Sequence, residues 1–298
     1  MNLLEKLPIE KLFYVEHGTR HPASIYLLSL EKLGKAFKRS IDDYERLTFE
    51  HLIQTSNDLK IDDLLESQEH LLRAQQEHLE DCFLILKTLV DPSTAKQSPR
   101  FSEQYVTENK LPGVKTFVNA VLDHKARLQI ANKLKHQQGR LRGIAIRPYG
   151  RLHLGYFLEE PIDKGVIGAS KEIHPDQGAF SFARDLSLRF YDAYYCAEKL
   201  CNAIRAAFSG LHGISINESH SQHPSLWKEL VQSFARMEEN IFPKESGKFM
   251  PKFVISKSTD SLSILSGHPA NLQFQSSLPT IVSTVPDRYS NSFRLPIP

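Results

Sequence analysis

The stretch IANKLKHQQGRLRGIAIRPYGRLHLGYFLEE, residues 130–160, contains the change of period on which the fold turns. Up to His136 the apolar residues keep the three-and-four spacing of a helix, and Gly139 ends it. Beyond Gly139 the pattern is that of strands. RLRGIAIRP, a Tyr149-Gly150 turn and LHLGYFLEE are rich in Ile and aromatics and are bounded by Pro148 and Pro161, which reads as a β-hairpin.

Working outward, almost everything N-terminal to this hairpin is helical. Residues 23–37 and 41–59 carry helical spacing, and DDLLESQEHLLRAQQEHLEDCFLILKTLV (62–90) is the clearest helix, stopped by Asp91-Pro92. Pro112-Gly113 opens a further helix expected to run unbroken to about residue 138. On the other side, residues 180–208 and 224–242 read as two more helices, with Gly210 and Gly213 beyond the end of the first. The last fifty residues turn to strand character in KFVIS, LSILSG and PTIVSTV. Runs of helices followed by strands give an α+β protein, predominantly helical. The expectation is a helical bundle with an inserted β-hairpin and a small C-terminal α+β part, divided into residues 1–213 and 214–298.

Composition excludes several classes. The chain has 298 residues, 41% hydrophobic and 24% charged, which suits a globular protein with a sizeable core. No apolar run is long enough to span a bilayer, and the start, MNLLEKLPIEKLFYVEHG, lacks the features of a secretory signal. Three cysteines (Cys82, Cys196, Cys201) point to reduced thiols in a cytoplasm. Cys196 and Cys201 have no second pair, so neither a metal nor a cofactor is expected. No glycine-rich phosphate loop follows a strand, and no Gly-x-Ser-x-Gly occurs.

A formal net charge of +2 hides a strong polarity. Residues 41–81 hold twelve acids against three bases, a balance of −9. Residues 121–151 hold Lys125, Arg127, Lys133, Lys135, Arg140, Arg142, Arg147 and Arg151 against Asp123, a balance of +7. Such a basic block is an electrostatic footprint for phosphates, unless the acidic block neutralises it inside the fold or across a dimer. The hairpin interleaves its arginines with Tyr149, His153, Tyr156 and Phe157, as a single-stranded nucleic-acid surface does; a sheet face packed on helices has the same composition. On a continuous helix through 114–136, Val114, Phe117, Val118, Val121 and Leu128 form the core stripe. Asn132 falls near its centre and His136 at its edge.

The residues ANKLKH, 131–136, resemble the Arg-Asn-x-x-x-His motif of the HEPN family of small helical-bundle proteins, whose active members cut RNA without a metal at a dimer interface. Asn132 and His136 match, and Ala131 stands where the family has arginine. The resemblance implies a HEPN-like domain that binds RNA or another nucleic acid, as a homo-oligomer or a subunit of a complex. If it is an enzyme, it implies a metal-independent endoribonuclease with His136 as base, Asn132 beside it and Arg127 replacing the missing cation. Lys133, Lys135, Arg140, Arg142, Arg147 and Arg151 are the expected nucleic-acid contacts. The alternative is a structural or regulatory subunit that engages a protein partner through its charged blocks.

Two further patterns carry resemblances of their own. VEHGTRHPAS (15–24) resembles the signature of histidine acid phosphatases at His17, Gly18, Arg20 and Pro22, but Glu16 replaces the leading arginine. In INESHSQHPSLW, Glu218, His220 and His223 could ligate zinc, although a polar helix entry has the same composition.

Overall fold

The computed structural model describes residues 2–53, 61–96, 101–136, 139–147, 150–163, 166–176, 178–216 and 225–256, with short strands at 261–265, 282–284 and 293–294. Pro148 and Tyr149 of the hairpin turn, and the Glu218, His220 and His223 group, lie outside the described residues. The helices are α1 (Asn2–Glu5), α2 (Pro22–Ile53), α3 (Asp62–Lys87), α4 (Ser102–Glu108), α5 (Val114–Ala120), α6 (Leu122–His136), α7 (Phe182–His212) and α8 (Ser225–Arg236). The strands are β1 (Arg140–Ile146), β2 (His153–Asp163), β3 (Val166–Ala169), β4 (Phe180–Ser181), β5 (Lys252–Ser256), β6 (Ser261–Leu265), β7 (Val282–Thr284) and β8 (Phe293–Arg294). The architecture is the predominantly helical α+β expected, with the hairpin where the period changes.

The chain divides into two compact units, each assembled from three stretches. One comprises residues 1–35, 73–128 and 192–225, the other 36–72, 129–191 and 226–298.

Among the described residues, the regular elements of the first unit are helices. Its core joins Leu79, Phe83 and Leu86 of α3, Val114 and Phe117 of α5, and Leu200, Ile204 and Phe208 of α7. The Phe83 and Phe117 rings meet edge to face at 5.2 Å, an arrangement that adds to simple area burial. Gly113 caps α5 with φ 83°, and a Cβ there would lie 2.8 Å from the Ala206 Cβ. Glycine is therefore required both by the backbone angle and by the approach of α7.

The second unit is built around β2. Its antiparallel partner β1 aligns Arg140 with Glu159 and Ile146 with His153. The sheet order is β7-β1-β2-β3-β8, with β4 also on β2, and among the described residues only the β3–β8 pair is parallel. Gly155 sits where β4 crosses closely: a Cβ there would meet the Phe180 carbonyl oxygen and the Phe242 ring at 2.3 Å. An aromatic cluster of Phe37, Phe190, Trp227, Phe234 and Phe253 fills another part of this unit, with Phe190 stacked on Phe234 at 4.1 Å. A buried polar network ties β2 to two helices. The Tyr156 hydroxyl donates to Asp185 Oδ2 at 2.7 Å, Gln68 Nε2 donates to the same oxygen at 2.7 Å, and Arg189 Nε does so at 2.6 Å.

Several element boundaries differ from the sequence reading, among them the end of α8, which stops at Arg236 rather than at 242. Residues 23–59 were expected as two helices, but α2 runs without a break through residues 38–40. Ser40, fully buried, turns its hydroxyl to the Ser67 carbonyl at 3.0 Å and so remains satisfied inside the helix. Gly210 lies within α7. The helix expected from Gly113 to about 138 is two helices, α5 and α6, parted at Val121, whose φ of −96° and ψ of 8° leave the helical region. The break shifts the phase of every later residue. His124, Leu128, Ile130, Ala131 and Lys133 are the buried positions of α6, whereas Asn132 and His136 are exposed.

Candidate functional site

The basic segment is best read one cation at a time, because burial and pairing decide which charges a ligand can reach. Lys125 Nζ lies 2.6 Å from both carboxylate oxygens of Glu103. Arg127 binds Asp192 through two nitrogens, Nε to Oδ2 at 2.7 Å and a second nitrogen to Oδ1. Asp192 also takes His124 Nδ1 at 3.1 Å. Burial acts to raise the Asp192 pKa, but His124 and Arg127 outweigh it and hold the carboxyl below its ordinary value.

Lys133 is buried and reaches Glu160 at 3.0 Å and Glu172 at 2.9 Å. Burial opposes its charge, yet the two carboxylates hold its pKa above the usual lysine value. Arg142 is buried, with Nε 2.7 Å from Glu159 Oε2. The hairpin register places Arg142 opposite Phe157, so Glu159 is its diagonal neighbour on the same sheet face. These four cations neutralise acids of the fold itself. Their partners lie outside residues 41–81; Glu66 and Asp63 of that acidic block pair with Arg39 and Arg46 of α2 at 2.9 and 3.1 Å.

What remains solvent-facing is a smaller set. Lys135, His136, Arg140 and Arg151 are exposed, and Arg147 is half-buried. Lys135 and His136 occupy the last turn of α6, where positive charge is also favoured by the helix dipole. The Gly139 N–H donates to the Lys133 carbonyl at 3.2 Å, closing the helix end and delivering the chain into β1. Arg140 and Arg142 also line an open cleft with Asp62, Leu65, Glu66, Glu69, Leu141 and Gly143. This is where the acidic and basic blocks come together.

The residues of the motif at 131–136 are spread by these constraints. Ala131, in the place of the family's arginine, is a buried packing position at 1% exposure. Arg127 is held by Asp192, so its charge is already committed. Of the catalytic set inferred from the resemblance, Asn132 and His136 face solvent on α6. At the other resemblance, residues 14–18 form a turn, and His17 Nε2 lies 2.8 Å from the Val90 carbonyl oxygen.

A second constellation was missed by sequence spacing. In the first unit, His78 and Cys82, four apart on α3, meet Cys196 of α7. Cys82 Sγ lies 3.8 Å from Cys196 Sγ and 4.0 Å from His78 Nε2, and the three ligand atoms all fall within 4.8 Å of one another. All three residues are at or below 1% exposure. Burial, aided by His124, pushes His78 down to about 4, so its imidazole is neutral at pH 7. Ser29 Oγ lies 2.9 Å from His78 Nδ1 and is also hydrogen-bonded to Asp81. The sequence reading paired Cys196 with Cys201, which are neighbours in the chain; the fold instead pairs residues 114 apart. The i,i+4 spacing of His78 and Cys82 on a strong helix was the available signal.

No family model, curated protein or solved structure matches the chain.

Proposed function

We propose that the chain binds RNA without cutting it, through the solvent-facing cations at the end of α6 and along the β1–β2 hairpin. The observation that carries this reading is the segregation of the basic segment. Lys133 and Arg142 are buried against carboxylates of the fold, while Lys135, His136, Arg140 and Arg151 are exposed, and Arg147 half-buried, at the two ends of the hairpin. A seven-residue strand separates the groups, about 23 Å at 3.3 Å per residue, a span that suits several nucleotides of an extended single strand. Cleavage is not part of the proposal, since the arginine position of the motif is a buried alanine and Arg127 is occupied by Asp192.

The test is binding of a labelled single-stranded RNA at low and moderate salt. With four to five phosphate contacts, the logarithmic salt slope should be about −3, or roughly 60-fold weaker binding from about 50 to 200 mM. Combined Lys135→Ala, Arg140→Ala and Arg151→Ala should weaken binding at least about tenfold with the fold intact. Absence of binding at low salt overturns the reading, and RNA cleavage abolished by His136→Ala overturns its non-catalytic part.

A second reading rests on the cleft. Asp62, Glu66 and Glu69 beside Arg140 and Arg142 present both signs of charge, which matches a charged protein surface better than a polyanion. Co-purification of a partner that is lost on Glu66→Lys with Glu69→Lys is the corresponding observation.

A further inference from the structure

We infer that His78, Cys82 and Cys196 form a buried binding site for a thiophilic divalent cation, zinc being the natural occupant. Tetrahedral zinc, with Zn–S about 2.3 Å and Zn–N about 2.0–2.1 Å, sets its sulfurs about 3.8 Å apart and each sulfur about 3.5 Å from the nitrogen. The Cys82–Cys196 separation is 3.8 Å, and the Cys82–His78 separation of 4.0 Å closes with a small side-chain adjustment. The three ligand atoms already converge before any metal is considered.

The surroundings favour the histidine tautomer that a metal requires. Ser29 has one hydroxyl proton. Donating it to Asp81 leaves Ser29 Oγ as an acceptor for His78 Nδ1–H. That tautomer places the Nε2 lone pair toward Cys82 Sγ. A carboxylate acting through a hydrogen bond on the far nitrogen of a ligating histidine is the usual means of orienting it. Charge balance supports a divalent ion in particular. Two thiolates and a neutral imidazole around Zn²⁺ sum to zero, which limits the cost of enclosing the ion in a core. On binding, the Cys82 and Cys196 thiols each lose a proton to solvent and form a metal–sulfur bond, so affinity rises with pH.

Tyr26 borders the site, its ring centroid 5.9 Å from that of His78. Complete burial of the three ligands suits a structural site better than one open to substrate.

Cobalt titration of the full, reduced and chelator-stripped chain tests the site and needs no variant. The expected result is saturation at one Co²⁺ per chain, with tetrahedral d–d bands and thiolate-to-cobalt charge transfer, all bleached by Zn²⁺. Cys82→Ser and Cys196→Ser should each weaken the charge-transfer band. Ser29→Ala, which keeps every ligand, should weaken affinity about 10–100-fold. Cobalt uptake without thiolate bands, no uptake at equimolar metal, or a Cys82–Cys196 disulfide whose reduction restores no uptake would each overturn the inference. RNA binding through α6 and the hairpin is measured separately, so the two proposals stand or fall independently.

Discussion

At the scale of single residues, the contrast between Arg140 and Arg142 is the most instructive. They are two positions apart on one strand, yet Arg140 is exposed and Arg142 is buried against Glu159. Removing one member of a buried ion pair strands the other, which costs about 3–5 kcal/mol. Arg142→Ala should therefore lower the urea midpoint sharply, whereas Lys135→Ala should change stability by no more than about 0.5 kcal/mol. RNA affinity should show the opposite ranking once folding is corrected for. Gly155→Ala gives a second check. Its Cβ would collide with a backbone carbonyl oxygen, which cannot rotate away as a side chain can. Its cost belongs at or above the top of the overpacking range, about 3 kcal/mol, read from the same denaturation curves. Neither the pairing of Arg142 nor the crowding at Gly155 is legible in the sequence, because both depend on partners brought up by pairing and crossing of strands.

At the scale of elements, hydrophobic period is a good guide wherever an element buries one face along its whole length. The β1–β2 hairpin, α3 and α7 are legible for that reason. The 114–136 segment shows where the guide fails. A single non-helical residue, Val121, puts the following helix out of phase, and Asn132 and His136 pass from an inferred core stripe to the surface. After that break, the last turns of α6 are fixed by the Lys133 ion pairs with Glu160 and Glu172 and by the helix closure at Gly139. Lys133→Ala should loosen this turn, leaving two carboxylates without their shared cation. Hydrogen exchange over residues 130–136 should accelerate while α3 and α7 keep their protection. Equal protection in the variant would show that packing alone holds the helix end.

At the scale of the whole molecule, buried and half-buried histidines shape the response to acid. His78, His153 and His174 are all shifted down, in each case first by burial. A histidine depressed in the folded state binds fewer protons there than in the unfolded chain between the two pKa values. Stability is thus fully present above about pH 6.5 and falls as pH drops through about 4. His78 alone contributes on the order of 3 kcal/mol over that window. Urea midpoints at pH 7, 6 and 5 should fall in sequence, and a flat profile would contradict neutral buried imidazoles. The interleaved composition of the two units has a separate consequence, for synthesis. Cys82 meets Cys196, and Gln68 meets Asp185, across more than a hundred intervening residues. The ribosome therefore finishes α2, α3 and α6 long before α7 emerges to cover their apolar faces. Until then these helices present the surfaces that chaperones recognise, and closing such long loops slows the final collapse.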